Sequence, residues 1–536
     1  MKKIIFILII LLAAFLRLYK LADYPAFNAD EAAIGYNAYS LIETGKDEHG
    51  NPWPIHFQSF NDYKPGLYFY LVLPFVKALG LTEFAVRIPS ALLGVGAVIV
   101  LYFLVRELFK NERLAILSSL FLAISPWHIH FSRGGWEVNV ATFFMTLGLW
   151  FFIKGLKNSK FFLLSTLGFV LSLYTYHASR VVVPLLILGL GFIYRKEIKP
   201  NFKKFAASGL IALVLLLPLG LDFAKGEARS RVAGVGLFAD PGPLSRINEQ
   251  RGDHGNFEGL GAKVLHNKAV NYSLAFVQNW TQHFWGEFLF VSGEPIQRNK
   301  VPETGQMYLF DLILLIVGLA SIARNSKGWA VIFLWLLVSP FASALTFQSP
   351  HALRAQNMVI PLVIISAYGL VTVLDFLGGF KKVKVIGYIA IGLVMTWSFA
   401  TYQHMYWVHM AKQYPFSSQY GVKELVKFVS EKATGYNKVI VTDRYDQPYI
   451  LFAFYLKYPP QKFQENHTLT PRDKFGFSTV TSFDKYEFMP INYDSVQPQN
   501  PGSLIVGTDA EIPPEANIIK KVYGENGYLY FEAVAN

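Results

Sequence analysis

Leu67-Tyr-Phe-Tyr-Leu-Val-Leu-Pro-Phe-Val-Lys-Ala-Leu-Gly-Leu81 is the stretch that decides how the rest of the chain is placed. If this apolar run crosses a bilayer, every later loop changes sides. Other apolar blocks lie at 4–16, 86–105, 114–126, 138–153, 161–176, 181–194, 205–221, 307–323, 329–347, 357–377 and 384–403, about eleven candidate spans without it. Several are shorter than the roughly 20 residues of a perpendicular helical span. Cytoplasmic loops carry the excess of Lys and Arg, and that rule settles the parity. With 67–81 kept as a juxtamembrane or re-entrant helix, Lys2-Lys3, Arg106…Arg113, Lys154…Lys160, Arg195…Lys204, Arg324…Lys327 and Lys381…Lys384 share the cytoplasmic face. About eighteen bases then gather on one side, and the opposite parity would put nearly all of them outside.

Composition agrees with a membrane chain. Of 536 residues, 53% are hydrophobic and only 16% charged, against about a quarter in soluble proteins. The net charge of +12 does not point to nucleic acid, because the bases sit in short clusters between apolar runs. With no cysteine, disulfides and thiolate metal sites are excluded. Lys2-Lys3 before an apolar run resembles a signal peptide, but the run continues into Arg17-Leu-Tyr-Lys20 without a small-x-small site. It reads as an uncleaved first span.

Eleven spans with the N-terminus inside place the C-terminus outside. The fold expected is a polytopic α-helical membrane domain over 1–407, with outer loops 20–85 and 222–306. A small α/β extracytoplasmic domain over 408–536 follows. In that tail Gly421–Lys432 has helical spacing, Lys438–Thr442 reads as a buried strand and Pro448–Lys457 as an amphipathic helix. Ser503–Gly507 and a hairpin around Gly524-Glu-Asn-Gly527 complete it.

On this topology the outer-face bases near the membrane come singly: Lys64, Arg87, Arg133, Arg180 and Arg354. Each runs against the charge bias, so each needs a stabilising partner. A phosphate ester or anionic headgroup would serve, and Arg can hold one bidentately. Snorkelling or pairing with a loop acid is the plainer explanation for any one of them. The outer-face acids are Asp30-Glu31, just after the first span, and Glu137 in Arg133-Gly-Gly-Trp-Glu137. An adjacent Asp-Glu pair is commonly first-turn charge behind a helix N-cap. Two outer loops each offering a carboxylate also suit general-base chemistry on a hydroxyl. The loop 222–306 is long for a structureless connection. It carries Trp280, His283, Trp285, Glu287 and Arg298, an aromatic and polar mix suited to a sugar or acceptor, or to an interfacial belt.

The run Asp30-Glu31, Tyr63-Lys-Pro-Gly-Leu-Tyr68, Glu83-Phe-Ala-Val-Arg-Ile-Pro-Ser90 and Ser125-Pro126…Arg133…Glu137 resembles the GT-C glycosyltransferases. Within them it is similar to the bacterial relatives of protein O-mannosyltransferases and aminoarabinose lipid A transferases, most strongly over residues 1–200. The resemblance implies transfer, with inversion, of a sugar from a polyprenyl-phosphate carrier to an acceptor hydroxyl of a protein, lipid or glycan. It implies a bacterial cytoplasmic membrane and outer-face chemistry. It makes Asp30 the catalytic base with Glu31 its neighbour, and sets Lys64 near the donor phosphate. Gly66 stands where a second proline is usual. Glu137 stands where Asp is usual, and its extra methylene moves the carboxylate by more than about 1 Å. The alternative class is a lipid-linked sugar transporter or flippase. Such proteins show internal repeats and mid-membrane ionisable groups, whereas these spans are almost free of charge and show no repeat. A divalent metal is compatible with the paired carboxylates, which can hold an ion as readily as a proton.

Overall fold

The structure, a computed structural model, describes residues 2–60, 62–224, 234–322, 326–380, 382–414, 417, 419–472 and 478–536. Arg324 and Lys381, two of the clustered bases, lie outside them. The helices that matter below are α1 (Lys2–Leu18), α2 (Ala29–Thr44), α3 (Leu67–Leu79), α4 (Glu83–Phe109), α5 (Glu112–Ile124), α6 (Pro126–Ser132) and α7 (Glu137–Gly155). They continue with α8 (Phe161–Thr175), α9 (Ser179–Ile193), α10 (Phe202–Ala224), α11 (Gly242–Asp253), α12 (Lys268–Gln282), α13 (Leu309–Ser321), α14 (Lys327–Val338), α15 (Val359–Gly378) and α16 (Lys384–His404). Each of the eleven apolar runs is therefore helical over most of its described residues.

By length and composition six helices can cross a bilayer: Glu83–Phe109, Glu137–Gly155, Arg195–Ala224, Lys327–Ala344, Gln356–Gly378 and Lys384–Gln413. The pair α5 and α6, bent by 57°, makes a seventh when taken as one span. The deciding run forms α3, only 13 residues long and closed by Gly80 at φ 75°. With α8, α9 and α13 it belongs to the shorter apolar helices. The protein is an integral membrane protein: Trp397 at 76% and Leu221 at 66% exposure show helices α16 and α10 turning large apolar side chains outward, as only a lipid surface suits.

The chain divides into two compact units. The first comprises Met1–Leu16, Leu93–Phe131 and Val138–Tyr402. Its tightest pairing is α13 on α15. A Cβ on Gly369 would stand 1.9 Å from the Leu314 carbonyl oxygen, and one on Gly318 would stand 2.4 Å from that of Ile365. Small residues let these backbones touch, the usual way apolar helices associate where lipid removes the hydrophobic drive. The connection 222–306, expected as a long outer loop, is largely helical over its described residues. It contains α11, a short turn at Leu260–Leu265, and α12 capped by the Asn267 side chain.

The second unit comprises Arg17–Leu92, Ser132–Glu137 and Gln403–Asn536. Its tail holds α17 (Val422–Lys432), α18 (Pro448–Tyr455), α19 (Pro460–Asn466) and strands β3 (Lys438–Thr442), β4 (Thr468–Leu469), β5 (Val480–Phe483), β6 (Tyr486–Met489), β7 (Ser503–Gly507), β8 (Ile518–Tyr523) and β9 (Leu529–Ala535). The sheet runs β4-β5-β6-β3-β7-β9-β8. β3, parallel to both β6 and β7, sits at its centre, which is why it reads as a continuous Val-Ile-Val core. The helix at 448–455 is not amphipathic: every residue from Pro448 to Phe454 is buried. It is covered from more than one side, and one covering element is α2. Gly35 of α2 is the contact point, because a Cβ there would meet the Phe454 ring at 2.6 Å and Val86 at 2.7 Å. Part of the region expected as outer loop 20–85 is thus a buried helix, followed by a hairpin of two strands, β1 (His56–Ser59) and β2 (Asp62–Pro65).

Candidate active site

The site grows from the start of α2. Asn28 caps the helix, its side chain accepting from the Glu31 N–H at 3.1 Å. Glu31 reaches back to the Asn28 N–H at 3.3 Å, completing a capping box. Asp30 and Glu31 occupy the first turn, where the helix dipole favours negative charge. Adjacent helical positions face about 100° apart, so the two carboxylates meet different surroundings.

Glu31 points inward. It is 1% exposed and receives the fully buried Arg87 guanidinium through both oxygens, Nε to Oε1 and Nη2 to Oε2, each at 2.7 Å. The Gly135 N–H adds a third bond at 2.8 Å. The other Arg87 donors go to the carbonyls of Leu21, Pro25 and Ala26. A buried ion pair is tolerated only when its remaining hydrogen-bonding groups are satisfied like this.

Asp30 points outward and meets the cation expected from the sequence. Lys64 Nζ lies 2.5 Å from Asp30 Oδ1, with side-chain exposures of 10% and 22%. Lys64 stands on the second hairpin strand opposite Phe57, and its ammonium sits 5.2 Å above the Phe60 ring. Gly66 leaves no room for a side chain: a Cβ there would stand 2.7 Å from the Ile55 carbonyl oxygen.

Arg133 belongs to the same unit but is wholly buried. Its Nε donates to the Tyr406 hydroxyl at 3.0 Å, and its Nη2 to the carbonyls of Tyr19 and Tyr24. The Trp407 ring covers it at 4.7 Å. Glu137, half-buried, opens α7. The structure thus pairs Asp30 with Lys64 and Glu31 with Arg87, and sets Arg133 in an aromatic clamp.

The remaining candidates lie in the first unit. Arg180 and Arg354 line one cavity of about 300 Å³ with Tyr176, His177, Phe223 and Thr346. Arg180 donates to His177 Nδ1 at 3.0 Å, and Arg354 to Thr346 Oγ1 at 2.6 Å. His283 is enclosed. The His351 N–H donates to its Nε2 at 3.1 Å, so Nδ1 carries the proton given to the Asn279 carbonyl. Burial pushes its pKa down to about 4, which keeps it neutral. Trp280 donates to the Leu337 carbonyl at 2.9 Å. Trp285 is 52% exposed, and Glu287 and Arg298 are exposed. Glu294, a weak candidate of the same stretch as Glu287 and Arg298, is buried and receives Asn299 and the Ala352 N–H. Sequence reasoning passed over Glu48, because nothing local marks a carboxyl in a turn as buried.

Among the described residues no group of three or more His, Asp or Glu is arranged to hold a metal ion. Glu31, with both oxygens engaged, does not complete a pair of ligands with Asp30.

Residues 63–221 match the model of the dolichyl-phosphate-mannose-protein mannosyltransferase family. That stretch contains Lys64, Arg87, Arg133, Glu137 and Arg180, and Asp30 precedes it. Over its full length the fold aligns with ArnT from Cupriavidus metallidurans, solved bound to undecaprenyl phosphate, at TM-score 0.54 and 11% identity, covering 99% of this chain and 97% of that one. The chain has the GT-C glycosyltransferase fold. AglB from Archaeoglobus fulgidus, an oligosaccharyltransferase solved with an inhibitory peptide and a dolichol-phosphate, shares it at TM-score 0.51 and 15% identity, covering 85% of this chain and 63% of that one. In sequence the chain is 26% identical over 224 residues to YycA of Bacillus subtilis (strain 168), a protein with a provisional mannosyltransferase name; the match covers 41% of this chain. It is 27% identical over 163 residues, 30% of this chain, to an uncharacterised Aquifex aeolicus (strain VF5) protein. These matches span about a third of each relative's length, 31% and 32%.

Proposed function

We propose that the protein is an inverting glycosyltransferase that moves a sugar from a polyprenyl-phosphate carrier to an acceptor hydroxyl at the outer face of a bacterial cytoplasmic membrane. The acceptor is a protein, lipid or glycan. Residues 1–407 form the catalytic membrane domain and 408–536 an extracytoplasmic domain. The observation that carries this reading is the Asp30–Lys64 contact at 2.5 Å, because it sets a partly exposed acid and a cation side by side on a rigid base.

In this reading Asp30 takes the proton of the acceptor hydroxyl as its oxygen attacks the anomeric carbon, and the phosphate leaves from the opposite face. Lys64 stabilises the charge that grows on the leaving phosphate oxygens. In the resting protein the two neutralise each other. An arriving donor phosphate competes for Lys64 and releases Asp30 as a base, which ties proton abstraction to donor occupancy. Glu31 and Arg87 do not touch substrate. They hold the first turn of α2 and so aim Asp30. Arg133 plays a similar supporting part for the segment 19–24, and Arg180 with Arg354 forms a separate cationic cavity suited to an anionic headgroup. Glu137 is a further acid of the site. Trp280, Trp285, Glu287 and Arg298 remain candidates for acceptor contact, whereas His283 acts as a neutral structural group.

The test is donor retention. Wild-type protein extracted in mild detergent should carry a polyprenyl-phosphate-linked sugar detectable by lipid mass spectrometry. Removing one charge-assisted contact costs about 1.5–3 kcal/mol, so Lys64→Ala should weaken donor affinity by at least about tenfold. A folded Lys64→Ala protein that retains the donor like wild type would remove Lys64 from the site.

A further inference from the structure

The capping box at the start of α2 is local, its two partners being Asn28 and Glu31. Another donor of the same turn is met from far along the chain. A helix leaves its first four N–H groups without partners inside it. The Ala29 N–H, one of these, donates to Gln419 Oε1 at 2.6 Å, across 390 positions of sequence. Ala29 stands directly before Asp30.

The Gln419 amide has a second engagement. Its Nε2 donates to the Asp446 carbonyl at 2.6 Å, and the Tyr445 carbonyl oxygen lies 3.4 Å from the same nitrogen. These partners fix which way the amide points. Turned over, its N–H groups would face the Ala29 N–H, and its oxygen would face two carbonyl oxygens. One planar group thus joins a donor of α2 to the acceptors of a second segment.

That segment, 443–447, leads from the central strand β3 into α18. It is itself held in place. Gln447 accepts from the Thr479 hydroxyl, and the Arg444 N–H donates to the Thr442 hydroxyl at 3.2 Å. Gln419, Asp446 and Gln447 stand at φ 52°, 20° and 54°. Residues with side chains keep such left-handed backbone only where their surroundings over-determine it. Further along, α2 and α18 meet again where Gly35 faces the Phe454 ring. The amide therefore ties the N-terminal ends of two helices that also pack on one another. Two separated contacts of this kind fix how α2 is turned about its own axis.

Asp30 lies between two holds. After it, Glu31 is bonded to Arg87 and to the Gly135 N–H; before it, Ala29 is bonded to Gln419. We propose that Gln419 is a positioning residue for Asp30: its side-chain amide bolts the residue before the acid to the loop after β3, so that the tail sets the direction in which the carboxylate points. This rests on the reading of Asp30 as the base that takes the acceptor proton. Gln419 touches neither donor nor acceptor in this role, and both ends of its amide are needed.

The experiment compares full-length wild type with Gln419→Met and Gln419→Glu. Methionine fills a similar space and bonds to neither end. Glutamate keeps an oxygen for the Ala29 N–H, where negative charge suits a helix N-terminus, but turns a carboxylate toward the two carbonyls. Hydrogen exchange of peptides covering 28–31 should therefore quicken about tenfold in Gln419→Met, the worth of one hydrogen bond. In Gln419→Glu it should stay as in wild type. Donor retention, read as polyprenyl-linked sugar carried through mild detergent, should match wild type in both variants. Consumption of that sugar in membranes should fall at least about tenfold in both, since displacing a catalytic group by about 1 Å costs up to about 100-fold. Wild-type consumption by either variant overturns the proposal; in Gln419→Glu it would reduce Gln419 to a helix cap. A fall in donor retention and melting temperature in step with the rate also overturns it, because a merely structural residue gives that pattern. So does unchanged exchange at 28–31 in Gln419→Met. If Gln419→Met is not recovered folded, the rate and retention of Gln419→Glu decide alone. Wild type that carries no polyprenyl-linked sugar, with the exchange pattern as expected, counts instead against the glycosyltransferase reading.

Discussion

Two neighbouring carboxylates, Asp30 and Glu31, come to opposite uses because adjacent positions on a helix face about 100° apart. Glu31 is locked by Arg87 and the Gly135 N–H, and Asp30 remains partly exposed beside Lys64. Truncating one member of a buried ion pair leaves the other uncompensated, at a cost of about 3–5 kcal/mol. Glu31→Gln should therefore lower stability by about that much, seen as early loss of the folded fraction in detergent melts. A melting temperature equal to wild type would show that the pair does not hold α2. The motif names Asp30, Glu31 and Lys64, and the structure pairs the first with the third. What it could not reveal was the division between them, since burial depends on segments far along the chain: Arg87 at one remove and Gly135 at another.

Elements were legible wherever pattern alone makes them. The eleven apolar runs are helical over most of their described residues, and the strands at 438–442 and 503–507 follow from their continuous apolar runs. Two elements escaped. α2 has almost no polar face because it is covered on most sides, so its alanine-rich stretch between polar segments reads as loop. α18 was expected to be amphipathic, yet its ring of neighbours buries it completely. Helix pairing by small residues was equally hidden, because a glycine in an apolar run carries no partner label. The Gly369 contact makes a direct prediction. With only 1.9 Å between a Cβ and the Leu314 carbonyl oxygen, Gly369→Leu forces α13 and α15 apart. Such a variant should be recovered in poor yield and be digested by protease faster than wild type, whereas Leu374→Ala, in the same helix, should behave nearly as wild type. Equal resistance in Gly369→Leu would mean that these helices do not pack through their glycines.

At the scale of the whole molecule, the bilayer and the composite second unit explain why the site is built from distant stretches. The catalytic candidates lie within 17–92 and 132–137, and the same compact unit takes in the tail from 403. Tail residues support the first turn of α2 directly: Gln419 accepts from the Ala29 N–H at 2.6 Å. A linear reading places the tail in a domain of its own, since composition changes there, and gives no sign that the tail completes the unit holding Asp30. The GT-C architecture was accessible through motifs, and the fold match extends over 99% of the chain. The central claim is that Asp30 takes the acceptor proton. Removing a positioned general base lowers rate by about 10²–10⁴-fold. The decisive measurement is single-turnover sugar transfer from the polyprenyl-phosphate donor by Asp30→Asn protein in membranes, with donor binding measured in parallel. The account predicts retained donor and a transfer rate reduced by about that factor; transfer at the wild-type rate by a folded, donor-bound Asp30→Asn protein would contradict it.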